Sequence, residues 1–333
     1  MSALAWVVGR GGLLGSSLER ALGPGAWRDP PPLAWGEPGR LASSIEEAAR
    51  GFAARLAAES PAGWTLAWCA GAGVVGTAAV HLEAETDALR LVLQRLGAAL
   101  DAETRTRSLP GRVFLASSAG GVYGGSPDRP LTETSAPAPI SDYGRAKLAQ
   151  EAALAAWTRD RPRVSSLVGR LANLYGPGQR LDKPQGLVSH MSRCLIFGVP
   201  VHVYVPLDTI RDYLFAEDAG RQVASALGRL AREAPAGGRH VLKVFASERE
   251  TTIAGLLGVF RRIGRRQLRV VSGLHPVRTQ QPARLQFRSA VWADEPRVRT
   301  ELLDGVSRVY RHQLGLFLAG LLPAPFPFPG RAA

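Results

Sequence analysis

Cysteine, lysine and long apolar runs are all scarce in this 333-residue chain, and each scarcity excludes something. Cys69 and Cys194 are too few for a disulfide framework and lack metal-ligand spacing, so reduced thiols in a cytoplasmic protein are expected. No apolar stretch has the length of a membrane span, and the first residues carry no basic leader or small-residue cleavage site; neither export nor membrane association is expected. His81, His190, His202, His240, His275 and His312 show no metal spacing, so no metal is expected, and only His190 and His202 are read as near a substrate. Lysine occurs only at 147, 183 and 243, a skew toward arginine for which codon bias is the simplest reading. Lys and Arg together still number 41 against 28 Asp and Glu, a net charge of +13. Residues 239–333 hold 16 of these cations and only 6 acids. Such a basic last third either attracts an anion, a sugar diphosphate before nucleic acid, or is simply a solvated surface.

With 46% hydrophobic and 21% charged residues, the chain has an ordinary globular balance. An apolar strand over 4–8 feeds the turn Gly9-Arg10-Gly11-Gly12-Leu13-Leu14-Gly15, after which 16–22 reads as helix. Short apolar runs at 65–69, 113–116 and 164–168 alternate with helical patterns at 45–58 and 80–100. Strands alternating with helices predict an α/β fold, a doubly wound parallel sheet covered on both faces. From about Gly176 the rhythm changes to Gly/Pro-rich loops, strands over 201–205 and 240–245, and helices over 253–263 and 299–319. The expected division is therefore 1–175 and a smaller, discontinuous lobe over 176–333, with 207–235 returning to the first unit. Four prolines over 322–329 predict an extended tail.

Glycines at 9, 12 and 15, between strand and helix, allow the close backbone approach and unpaired N–H groups that a pyrophosphate needs, so a dinucleotide site is expected. No acid clearly stands where it would hold a ribose 2′-hydroxyl, Asp29 and Glu37 being the alternatives, whereas Arg10 and Arg28 suit a 2′-phosphate. This reading favours NADP, with NAD as the alternative. Tyr143 and Lys147 are four apart, one face of a helix, where an ammonium favours the phenolate and makes the tyrosine a general acid/base. A strand ending at Ser117-Ser118 can deliver a hydroxyl partner.

The segments V-V-G-R-G-G-L-L-G, S-S-A-G-G-V-Y-G, Y-G-R-A-K, R-L-A-N-L-Y-G-P-G-Q and I-R-D-Y-L-F-A-E-D, in that order over 7–218, resemble the sugar-nucleotide epimerase/dehydratase branch of the extended short-chain dehydrogenase/reductase family. The resemblance implies a Rossmann-like domain, a Tyr/Lys/Ser(Thr) triad and a C-terminal lobe for a nucleotide-diphosphate sugar. Tyr143 would be the acid/base, and Lys147 would also hold the nicotinamide ribose. Gly11, Leu13, Leu14, Ala70, Gly71 and Leu171 would line the cofactor; Ser117, Asn173, Leu187, Arg211 and, more loosely, Arg278 would line the substrate.

Two departures matter. The family hydroxyl usually stands four residues before the tyrosine of V-Y-G, where this chain has Ala119; a turn longer by one residue would put Ser118 in that role. Dehydratases carry Asp-Glu just before V-Y-G, and here those places are Gly120 and Gly121, which disfavours dehydration. The expectation is an NADPH-dependent reductase of a nucleotide-linked 4-keto-6-deoxyhexose. A 4-epimerase retaining NAD is the runner-up, and a non-catalytic regulator or RNA binder is the reading from another class. A homodimer is also expected, because Leu82, Leu89, Leu93, Leu96 and Leu100 recur near helical spacing and related enzymes pair this helix with the Tyr143 helix.

Overall fold

The structure, a computed structural model, describes residues 3–180, 186–265, 267–273, 281–295 and 299–325. The first half runs β1 (Leu4–Val8), α1 (Leu13–Leu22), α2 (Pro38–Glu59), β2 (Trp64–Trp68), α3 (Ala79–Ala102), a short α4 (Thr104–Arg107) and β3 (Gly111–Ser118). A four-residue turn of helix, α5 (Ala119–Val122), leads to α6 (Asp142–Arg159) and β4 (Val164–Leu171). Then come β5 (Asn173–Tyr175), α7 (Leu187–Phe197), β6 (Val201–Val203), β7 (Ile210–Phe215), α8 (Ala216–Glu233) and β8 (His240–Phe245). β9 (Glu250–Thr252), α9 (Ile253–Gly264), β10 (Val270–Ser272) and α10 (Leu302–Leu318) complete the order.

Five strands form the expected parallel sheet, in the order β1-β2-β3-β4-β8. Successive side chains of a strand point to opposite faces, and the sequence satisfies both. Val7, Phe114 and Leu167 meet α1 and α8 on one side; Trp6, Val8, Leu66 and Leu115 meet α2, α3 and α6 on the other. The strand over 240–245, expected in the lobe, instead pairs with β4 at the sheet edge. α8 returns to pack beside α1. The lobe has its own core from α7, α9 and α10, including Met191, Leu256, Phe260 and Val306, and two small sheets, β10-β6 and β5-β7-β9.

Beyond β1 the sheet nearly stops. A single parallel bridge joins Ala5 to Ala26, and the chain enters α2 at Pro38 without another strand. Trp6, Trp27 and Phe52 close that edge, with ring centroids 5.6–6.0 Å apart. Burying such side chains stabilises by roughly 1.5–3 kcal/mol each, which is how this edge holds with so little backbone pairing. Among the described residues no helix is long and apolar enough to cross a membrane.

Candidate active site

The glycine turn is built by contact. Gly9 has φ +88°, and a Cβ there would lie 2.5 Å from the Ala70 backbone nitrogen; one on Gly15 would collide with the Gly9 carbonyl. These two glycines bring β1, β2 and α1 together. Gly11 differs, because a Cβ there would meet nothing within 4 Å. α1 starts at Leu13, with Gly12 as its N-cap, no side-chain cap and no acid in its first turn. Its first N–H groups, from Leu13 onward, thus present donors and the positive end of a helix to an open space, which suits a pyrophosphate. Residues and fold together fit a dinucleotide.

Arg10 and Arg28 do come together, but not as two spare cations. Both side chains are exposed, but Arg10 is 2.7 Å from Glu19 and donates to the Arg28 carbonyl, whereas no acid is paired with Arg28 among the described residues. Of the alternative acids, Glu37 pairs with Arg40 at 3.0 Å on the surface. Across the crevice, Glu85 accepts from the Ala72 and Gly73 nitrogens at 2.5 and 2.6 Å, fixing the loop that follows Ala70-Gly71. Glu85 left no local signal in the sequence, since its partners lie twelve or more residues away. Cys69, in the same loop, has its thiol pushed up to about 12 by burial.

Ser141 caps α6 by accepting from the Gly144 nitrogen at 3.2 Å, and this places Tyr143 in the first helical turn. Lys147 follows one turn later, its Nζ 5.7 Å from the Tyr143 ring centroid. Lys147 is 7% exposed, and its ammonium donates to Gln150 Oε1 at 3.0 Å. Gln150, three positions on from Lys147, shares its helix face and is a positioning partner that sequence spacing could have supplied. Ser118 Oγ accepts from the Gly121 nitrogen at 3.1 Å, capping the α5 turn. A Cβ on Gly121 would lie 3.0 Å from Tyr143 Cε1 and 3.2 Å from Ser118 Oγ, so one glycine separates the two hydroxyl-bearing side chains. Leu171 stands beside Ser118 across the β3–β4 ladder, largely buried.

Ser117 is not brought to this site. Its side chain alternates to the other face of β3, where it donates to Glu151 at 2.5 Å. There Glu151 pairs with Arg170 at 2.7 Å, and Arg170 donates to the Tyr123 hydroxyl at 2.6 Å. Tyr123 is fully buried, and burial raises its pKa, so this phenol is a fixed acceptor rather than a proton carrier.

In the lobe, Asn173 is exposed on β5 and Leu187 opens α7. β7 carries Arg211, 6% exposed. Its guanidinium donates to the Ile210 carbonyl at 2.8 Å and to Gln281 Oε1 at 3.1 Å, and burial lowers its pKa. Neither neighbouring acid neutralises it among the described residues. Asp212 turns to the opposite face and accepts from the Ser247 nitrogen at 2.8 Å, its carboxyl pushed up to about 6 by burial. His190 is held neutral, driven down to about 4 by burial and by Arg193 and His202. Arg278 lies outside the described residues.

Residues 70–240 match the model of the NAD dependent epimerase/dehydratase family. The dTDP-4-dehydro-6-deoxyglucose reductase of Escherichia coli is 32% identical over 107 residues, 32% of this chain and 33% of the reductase. UDP-glucose 4-epimerase of Mycolicibacterium smegmatis is 31% identical over 153 residues, 44% of this chain and 47% of the epimerase. The chain thus spans less than half the length of either relative. Among solved structures, UDP-glucose 4-epimerase from Thermotoga maritima with UDP-glucose superposes with a TM-score of 0.71 at 21% identity, covering 95% of this chain and 100% of that one. The family match takes in just over half the chain, on the same fold as the Thermotoga enzyme; the chain belongs to the NAD dependent epimerase/dehydratase family, within the extended short-chain dehydrogenase/reductases.

Proposed function

We propose that the chain is an oxidoreductase that reduces a nucleotide-linked 4-keto-6-deoxyhexose with NADPH. The observation carrying this reading is the approach of Ser118 and Tyr143 to either side of Gly121, with Lys147 Nζ 5.7 Å from the Tyr143 ring centroid, on the same sheet edge as the uncapped N-terminus of α1. A bound nicotinamide would supply a hydride to the ketone carbon. Tyr143 then gives its phenolic proton to the ketone oxygen, Ser118 holds that oxygen by a hydrogen bond, and Lys147 offsets the phenolate charge until solvent returns the proton. Arg211 supports a diphosphate-bearing substrate, since a buried guanidinium whose partners among the described residues are neutral gains most from an anion. Glycines at 120 and 121 leave no acid to drive dehydration, and exposed Arg28 favours a 2′-phosphate.

A second reading, a 4-epimerase that keeps NAD, draws on the epimerase relative, whose aligned stretch is the longer of the two. Denaturing the purified protein and identifying any released dinucleotide separates them. An empty protein that oxidises NADPH when given a 4-keto-6-deoxy sugar nucleotide supports the reductase; stoichiometric NAD supports the epimerase. Salt-dependent RNA binding without turnover would reject both.

Two further expectations follow from this assignment. Ser118→Ala is expected to slow turnover more than Ser117→Ala, whose loss falls on the Glu151–Arg170 pair and so on melting temperature. Equal turnover in both single variants and the double variant would remove serine from the mechanism. A homodimer through α3 and α6, which already pack side by side, is expected to scatter light with twice the 35.5 kDa chain mass; a monomeric mass at micromolar concentration would rule it out.

A further inference from the structure

The ten residues between Trp27 and Pro38 contain no strand, yet they are held in place. The Ala34 nitrogen donates to Ser44 Oγ at 3.1 Å, Trp35 N donates to the Leu33 carbonyl at 2.9 Å, and Leu33 packs into the core beneath. On this fixed loop Trp35 is 46% exposed, whereas Trp6, Trp27, Trp64, Trp68 and Trp292 are all buried. Its ring stands edge-on to Trp68, centroids 6.1 Å apart at 74°. Trp68 ends β2, and the residues after it run into the dinucleotide crevice: Cys69 N donates to the Val8 carbonyl at 2.8 Å, and Ala70 abuts Gly9. A large ring is therefore braced by a second ring at the carboxyl edge of a parallel sheet, where ligands of open α/β sheets bind, with part of its surface left to water.

We propose that Trp35 stacks on the adenine of the dinucleotide, supplying from a loop the surface that a further strand beyond Ala26 would otherwise offer. The inference rests on the dinucleotide-binding reading above and goes beyond it in naming the base contact. Indole is suited to this because every purine presents a π face, and the edge contact with Trp68 limits the ring's freedom before any ligand arrives. The competing role for Trp35 is to cover Trp68 and nothing more.

Calorimetric titration of the purified chain with NADPH, ADP and inorganic pyrophosphate tests the assignment. Trp35→Ala is expected to weaken NADPH and ADP on the order of tenfold, the usual scale for removing a base-stacking ring. Pyrophosphate, which has no base, is expected to bind as before, and Trp35→Phe is expected to keep most of the affinity. Unchanged ADP affinity in Trp35→Ala would overturn the proposal and leave the ring as a cover. A parallel loss of pyrophosphate would overturn it as well, by showing that the loop had collapsed. Wild-type protein binding neither NADPH nor ADP would remove the dinucleotide reading itself, an outcome distinct from both.

Discussion

Tyr143→Phe is expected to lower turnover at least about 100-fold while NADPH affinity stays nearly unchanged, the usual scale for losing a general acid. The substitution isolates one atom. The ring would still pack over Gly121, the Ser141 cap would still start α6, and Lys147 would keep Gln150, so fold and cofactor site have no reason to move. No neighbouring phenol can stand in. Tyr123, the nearest in sequence, is fully buried, held by Arg170 and raised in pKa by burial. Single-turnover measurement of NADPH oxidation, beside a binding titration, checks the prediction. Near-normal turnover would reject the assigned mechanism.

Arg211→Ala is expected to raise the Michaelis constant for the sugar nucleotide strongly, with cofactor affinity and melting temperature little changed. Losing a charged hydrogen-bond partner costs on the order of 1.5–3 kcal/mol, or about 10- to 150-fold in binding. Stability should hold, since the variant removes a desolvated cation whose described partners, the Ile210 carbonyl and Gln281, are neutral. Arg211→Lys should restore little, because an ammonium cannot make the paired donation that a guanidinium offers a diphosphate. An unchanged Michaelis constant with a lowered melting temperature would reassign Arg211 to anchoring the segment at Gln281.

The parts of the site that were legible in the sequence are those that local geometry decides. Glycine spacing after an apolar strand located the turn, and a four-residue interval placed Tyr143 and Lys147 on one helix face. What escaped depends on distant partners. The run His240–Phe245 reads equally well in either sheet, and only its pairing with β4 chooses. Two adjacent serines look alike as letters, yet strand alternation sends Ser118 toward Tyr143 and Ser117 to Glu151. Arg10 looked available because Glu19, nine residues on, gave no sign of turning back toward it. Glu85 and the Arg170–Glu151–Tyr123 cluster went unseen because each joins segments that meet only in the folded chain.

The contact between the α5 turn and α6 also limits how this site could be redesigned. Gly144 has no room for a side chain against the Gly121 carbonyl, and Gly121 has little against Tyr143 and Ser118. Grafting an Asp-Glu pair onto positions 120 and 121 would therefore set two demands against each other. The new carboxylate at 121 would press on the ring that must carry the proton, and the one at 120 would press on Leu285, 3.2 Å from where its Cβ would stand. Acids at 120 and 121 would need room made first at Leu285 and beside the Tyr143 ring, so a laboratory lineage should begin with those surroundings rather than with the two glycines.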